Sequence, residues 1–388
     1  MTEKTVCLFY DDVYCREFQA TVLSCQKVNK HYEIILDQTA FYPEGGGQPG
    51  DQGYLSNVAV RNTYYRDDII VHQTDEPLEA GTSVSGRLDW PLRYARMQEH
   101  TGEHIVSGVV HERFGYQNVG FHMSDGTVTI DYNGPITTEE LADIERRCHE
   151  IITENRPVEV HLYDELEAAT IPYRSKKKLY GKIRIVQIPG VDACACCGTH
   201  THTTGEVGAI HFTDRKNYKG GVRLTLVLGC YAVEDAICKE QMLDIISRTL
   251  SAEKGTLDCA VEDLLTRLSN AEHEAIRLRR LLADNILSST VQDSPLTRLH
   301  FPDADMRSLI YLADGMAERF TGLCLVTGMY DEKKLFACCN RDAGLRSIAD
   351  ILRKSNTIRG GGSDRMIQGE VLVPFDDMIE TLKEHIVQ

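Results

Sequence analysis

The sequence predicts an α+β fold divided into a small N-terminal β-barrel, an α+β domain, a helical, coiled-coil-like linker and a C-terminal α+β domain. Three observations carry that prediction. Residues 5–90 hold short β-like runs punctuated by Gly and Pro, the pattern of a small barrel or sandwich. Past Trp90, the only tryptophan, helical periodicity mixes with strands without regular βαβ alternation. From about Gly229 the chain turns helical and carries a heptad-like apolar seam. The expected divisions are 1–90, 91–235, 236–295 and 296–388; 388 residues suffice for two or three cores at roughly 150 residues each.

In the first segment, Phe18–Cys25 and Tyr32–Leu36 read as strands joined by the polar turn Gln26–Lys30, with further runs at Ala59–Tyr65 and Ile69–Gln73. Pro91 suits a first helical turn, and Met97, Ile105, Val109 and Val110 supply an apolar helix face. A hairpin is expected at Val119–Tyr132, turning at Asp125-Gly126. Thr137-x-x-Glu140 forms a capping box ahead of Leu141, Ile144, Cys148, Ile151 and Ile152. Strands return at Val158–Leu162, Ile183–Ile188, Val207–Phe212 and Val222–Leu228. In the linker, Val261, Leu265, Leu268, Ala271, Ala275, Leu278 and Leu282 step by threes and fours, as a helical hairpin or a pair of copies requires. The last segment offers a helix at Ala304–Phe320, strands at Leu323–Thr327 and Leu335–Cys339, and a helix at Leu345–Ser355. A glycine-rich stretch, Arg359–Gly369, and a final helix from about Phe375 complete it.

Composition narrows the function classes. No apolar run approaches the roughly 18 residues that span a bilayer, and the apolar stretch near the start is too short for a signal peptide, so a cytoplasmic protein without membrane contact is expected. Thirteen cysteines, an odd number, point to reduced thiols and metal ligation rather than a disulfide framework. With 42 basic against 58 acidic side chains the net charge is −16, which argues against a general nucleic-acid binder.

Two motifs carry metal chemistry. His100-Thr-Gly-Glu-His104 sets two imidazoles four residues apart, on one face of a helix, where both can reach a point about 2 Å away. Cys194-Ala-Cys196-Cys197-Gly-Thr-His200-Thr-His202 packs three cysteines and two histidines into nine residues, and thiolate with imidazole selects zinc. Together they offer a four-ligand His/His/Cys/His site; by itself the second motif would make a zinc knuckle. The run Gly45–Gly47, followed by Gln48, is either a tight turn or a loop whose bare N–H groups cradle a phosphate or ester oxygen.

Basic residues cluster on both sides of the Cys/His motif. The segment 174–184 holds six positive and no negative side chains, among them Lys176, Lys177, Lys178, Lys182 and Arg184; a second cluster brings Arg215, Lys216 and Arg223. Read as more than solvated faces, they would hold a polyanion at one place on an acidic protein.

Four ordered stretches carry a family resemblance: Phe41-Tyr-Pro-Glu-Gly-Gly-Gly-Gln-Pro-Gly-Asp51, Trp90 through His104, Gly120–Ser124, and Cys196-x-x-x-His200. Over roughly residues 5–235 the chain resembles the editing domain of alanyl-tRNA synthetase and the free-standing AlaX-type trans-editing proteins. More weakly, the C-terminal third resembles the synthetase's last domain, the layout of the long AlaX class. The resemblance implies a zinc-containing editing domain that hydrolyses tRNA(Ala) acylated with serine, or with glycine. With it go Zn2+ on His100, His104, Cys196 and His200, and Gln48 and the Gly45, Gly46 and Gly47 backbone near the ester; Thr39, just before the Phe-Tyr-Pro motif, is either the contact to the serine hydroxyl or an ordinary β-strand threonine. The family loop usually reads Cys-Gly-Gly-Thr-His; here Cys197 replaces the first glycine, so Cys194, Cys197 and His202 stand as competing ligands.

Two other readings remain at this point. Taken literally as HxxEH, residues 100–104 suggest a zinc protease with Glu103 as general base and a downstream carboxylate as third ligand. A non-catalytic, zinc-stabilised RNA-binding module is the third. Partners are accordingly acylated tRNA(Ala) and, through the helical linker or C-terminal domain, a second copy of the chain.

Overall fold

The computed structural model describes residues 5–124, 126–175, 179–293, 295–342 and 344–386. It divides into two compact units, Met1–Ile245 and Ile246–Gln388, with the boundary inside the helix Gly229–Leu250. Lys176–Lys178 and Asp125, singled out above, lie outside the described residues.

The first unit opens with a closed barrel whose strands run, in spatial order, Glu17–Val28, His31–Leu36, Ile69–Thr74, Val58–Arg66, Gly53–Leu55 and Ser83–Leu88. Alternation builds it: in Ser83–Leu88 every second residue is buried, which points Val84 and Leu88 inward. Phe18, Val22, Ile34, Leu36, Phe41, Leu55 and Val60 fill the interior with them.

Asp89 then caps the helix Trp90–Phe114, its carboxylate accepting from Leu92 N at 3.3 Å, with Pro91 in the first turn and Gly115 at φ +71° closing it. From Ala95 to Val110 this helix is buried on every side. Two glycines permit that. A Cβ on Gly102 would lie 2.1 Å from Leu228, and one on Gly108 would lie 2.4 Å from the Val191 carbonyl oxygen. The helix therefore sits against a four-stranded sheet (Ile210–Tyr218, Gly221–Leu228, Thr127–Tyr132, Asn118–Ser124) and a three-stranded one (Glu159–Tyr163, Ile183–Ile188, Asp192–Ala195). The helix Thr138–Glu154 closes the core through Leu141, Ile144, Cys148, Ile151 and Ile152, and its capping box forms as the spacing requires. Where a strand was expected from Val207, Thr204–Val207 is a 3-10 turn and the strand starts at Ile210.

In the second unit, Leu257–Ser289 is one unbroken helix, and the seam residues Val261, Leu265, Leu268, Leu278 and Leu282 are exposed. A five-stranded sheet follows in the order Leu296–His300, Leu323–Tyr330, Lys333–Cys339, Met366–Val371, Ile358–Gly362. One face, with Leu325, Phe336, Cys338 and Ile367, packs on the helices Leu345–Lys354 and Phe375–Ile386. The other, with Cys324, Val326, Ala337 and Cys339, packs on Met306–Arg319. Among the described residues no helix is long and apolar enough to cross a membrane.

Candidate metal centre

One helical turn separates His100 from His104 on the buried helix, and both rings face the loop that follows the strand Asp192–Ala195. Cys196 Sγ lies 3.3 Å from His100 Nε2 and 3.3 Å from His200 Nε2. Ligand atoms of His100, His104, Cys196 and His200 all fall within 4.8 Å of one another. A glycine makes the loop fit: a Cβ on Gly198 would stand 2.1 Å from the His100 ring.

Each imidazole has its other nitrogen committed elsewhere. His100 Nδ1 pairs with Gln48 Oε1 at 2.9 Å, His104 Nδ1 with Asp192 Oδ2 at 2.9 Å, and His200 Nδ1 with Thr101 Oγ1 at 3.4 Å. That commitment fixes the tautomers and leaves three Nε2 lone pairs and one sulfur directed at a common point. Thiolate with three imidazoles at that spacing fits a tetrahedral zinc ion.

The electrostatics agree. Burial alone would raise the Cys196 thiol, but the neighbouring His100 imidazole and its hydrogen bond outweigh it and hold its pKa well below the ordinary value. Burial, followed by His100, pushes His200 down to about 3, which keeps that ring neutral. Asp192 is buried too, yet its hydrogen bonds to His104 and Arg174 hold its carboxyl low. Arg174 grips it in a fork, Nε to Oδ1 at 2.7 Å and a terminal nitrogen to Oδ2 at 2.8 Å.

A cavity of about 340 Å3 opens onto the centre. Glu103, Lys182 and Arg184 give it polar walls; Phe121, Leu179 and Ile183 give it apolar ones; Gly46 forms part of its edge. Glu103 Oε1 accepts from Ser107 Oγ and Asn118 Nδ2, each at 2.5 Å. The protease reading asks for a carboxylate as third ligand, whereas the His pair meets a thiolate and an imidazole from the Cys/His loop.

The expected site residues fall into three groups. The four expected ligands come together, and Gly46 lines the cavity. Gln48 is fully buried with both ends engaged, Oε1 on His100 and Nε2 on Thr199 Oγ1 at 2.8 Å, so its side chain braces His100. Thr39 is also fully buried; its hydroxyl pairs with His72 Nε2 at 2.8 Å and accepts from Phe41 N, and it is not part of the cavity wall. Gly47 borders a neighbouring cleft.

None of the three competing ligands joins the four-residue group, although Cys194 falls with His104 and Asp192 in a second group of three. The His202 ring stacks on Tyr14 at 4.1 Å, Cys197 is exposed, and burial pushes the Cys194 thiol up to about 11. Of the basic residues, Lys182 and Arg184 reach the cavity, although Lys182 also pairs with Asp164 at 2.9 Å. Arg215 is hydrogen-bonded to the Ile136 carbonyl, Lys216 pairs with Asp214 at 2.6 Å, and Arg223 pairs with Asp131 at 2.6 Å. That second cluster lies on the hairpin 210–228 with its charges largely answered from within the fold. Sequence reasoning missed Asp192, Asn118, Thr101 and Thr199, and read Arg174 only as one more charge in a basic run. The one available signal was an acid two residues ahead of Cys194.

The profile described as "tRNA synthetases class II (A)" matches residues 3–92, and that of the "Threonyl and Alanyl tRNA synthetase second additional domain" matches residues 183–225. The chain is 28% identical to the alanyl-tRNA editing protein AlaX-L of Pyrococcus horikoshii over 98% of both chains. To the alanyl-tRNA editing protein Aarsd1 of Rattus norvegicus it is 27% identical over 92% of both. An alanine–tRNA ligase of Ignicoccus hospitalis is 32% identical over 73% of this chain, which spans only 32% of that larger protein. The likeness runs over nearly the full length of two alanyl-tRNA editing proteins and over part of the ligase.

Proposed function

We propose that the protein is an aminoacyl-tRNA deacylase that clears mischarged tRNA(Ala), chiefly the serine ester and secondarily the glycine ester, in the cytoplasm. The observation that carries this is the His100, His104, Cys196 and His200 group at the wall of a cavity of about 340 Å3. These four residues would hold Zn2+, which supplies Lewis acidity towards the ester when bound. The chain's own groups do the rest. Gln48, Asp192 and Thr101 hold the imidazoles in register, so the ligands need little reorganisation. Phe121, Leu179 and Ile183 exclude bulk water from one side. The Gly46 backbone offers a place for the ester, and an aminoacyl ester is already activated, so positioning supplies much of the rate.

Serine is selected over alanine by the polar wall. Groups that pair with the serine hydroxyl are left unpaired when alanine enters, which in favourable cases is worth up to 10⁴–10⁵-fold. Lys182 and Arg184 meet the acceptor-end phosphates at the mouth. The exposed leucines of Leu257–Ser289 support pairing of two copies through that helix. Hydrolysis of Ser-tRNA(Ala) by the wild-type protein, lost in His104→Ala, supports the reading. Tight tRNA(Ala) binding with no hydrolysis would instead leave the zinc-stabilised RNA-binding module.

A further inference from the structure

A second cleft, of about 500 Å3, adjoins the metal cavity, and Gly46 borders both. Residues 45–48 form a tight turn in which Gly45 N bonds Gln48 O and Gln48 N bonds Gly45 O, each at 3.0 Å. Gly46 and Gly47 both take positive φ, +63° and +89°, a turn that glycine enters without strain. The amides of Gly46 and Gly47 have no backbone partner among the described residues. The turn is fixed at both sides: Glu44 N bonds Thr63 O at 2.8 Å, and Met123 N bonds Gly47 O at 3.3 Å. A Cβ on Gly47 would stand 2.7 Å from the Phe121 ring, so that side allows no bulk.

The cleft's far walls differ in kind from those of the metal cavity. Tyr64, Tyr65, Asn62 and His122 line it, and none of them belongs to a metal-ligand group. Tyr64 is held rigid by donating to Glu33 at 2.8 Å, while Tyr65 is 46% exposed and offers a ring face. The strand bulges between Val60 and Asn62, which re-aims the side chains there. Asn62 Oδ1 accepts from Thr63 N at 2.9 Å, leaving the amide nitrogen as the available donor.

A nucleoside ester needs two adjoining compartments, one for the acyl group and one for the sugar and base. We propose that this cleft is the subsite for the terminal nucleoside of the substrate, its ribose at Gly46, its base on the Tyr65 ring and its ring edge at the Asn62 amide. The inference rests on the deacylase reading and adds where the leaving nucleoside sits. Aromatic stacking and one amide hydrogen bond are the means by which single-stranded bases are held.

The test measures kcat/KM of the metal-loaded protein for 3′-O-seryl-adenosine and for serine methyl ester, in the wild type, Tyr65→Ala and Asn62→Ala. The expected result is a wild-type preference for the nucleoside ester, with the ratio of the two values falling about tenfold in Tyr65→Ala, mostly through KM, and by a smaller factor in Asn62→Ala. A ratio unchanged in both variants overturns the subsite while the deacylase stands. Equal losses on both esters overturn it too, because they mark general damage. A wild-type protein inert on both esters removes the deacylase reading and the subsite with it.

Discussion

His104 Nδ1 lies 2.9 Å from Asp192 Oδ2, and Arg174 clamps that carboxylate from the other side. The chain Arg174–Asp192–His104 orients the imidazole and raises its basicity as a ligand. Asp192→Asn is therefore expected to weaken zinc affinity about 10- to 100-fold while the protein stays folded. Zinc titration against a competing chelator, with circular dichroism as the folding control, checks this. Unchanged affinity would detach Asp192 from the centre.

Gly198 provides a steric test of the same centre. A methyl group there would sit 2.1 Å from the His100 ring, in a loop whose position sets Cys196 and His200. Gly198→Ala is expected to abolish stoichiometric zinc binding, read by metal content after dialysis.

Ligand identity separates cleanly by substitution. Cys196→Ser is expected to lose the ion, whereas Cys197→Ser and His202→Ala keep one zinc per chain, since neither joins a ligand group; Cys194→Ser is expected to keep it too, because Cys194 groups with His104 and Asp192, whose facing atoms already pair with each other. A stoichiometry that survives Cys196→Ser but falls in Cys197→Ser would reassign the loop.

Inside the barrel, burial pushes His72 down to about 4, only partly offset by the Ile34 carbonyl beside its Nδ1. The unfolded chain takes up this proton near pH 6.5, before the folded one does, so folding stability is present above that pH and declines as pH falls towards 4. The loss attributable to His72 is on the order of 3 kcal/mol. Urea midpoints at pH 7.5 and pH 5 should therefore differ more in the wild type than in His72→Gln; equal differences would contradict it.

How much of this was legible in the sequence depends on the range over which a residue acquires its meaning. The histidine helix and the capping box at Thr137 were readable because their signals lie within one or two turns. The convergence of His100, His104, Cys196 and His200 was readable because two short motifs each carry half of a metal's preferred donors. Asp192 and Arg174 were not: one lies 88 residues from His104, and the other looks like any charge in a basic run until the fold pairs it. The position of Thr39 ahead of a motif says nothing of the hydrogen bond its hydroxyl makes with His72, 33 residues away. The glycines at 360–362 gave no periodic signal, yet they form an edge strand. A Cβ at Gly360 or Gly362 would come within 2.2 or 2.1 Å of the facing backbone, so that close approach requires glycine.

The central claim is that this centre removes the wrong amino acid and spares the right one. The most direct measurement is the deacylation rate of Ser-tRNA(Ala) beside Ala-tRNA(Ala), using metal-loaded wild-type protein and His104→Ala. The account predicts rapid loss of serine, alanine retained at least 100-fold longer on the scale of hydroxyl-based discrimination, and no serine release by the variant. Equal rates on the two esters, or serine release undiminished in His104→Ala, would contradict it.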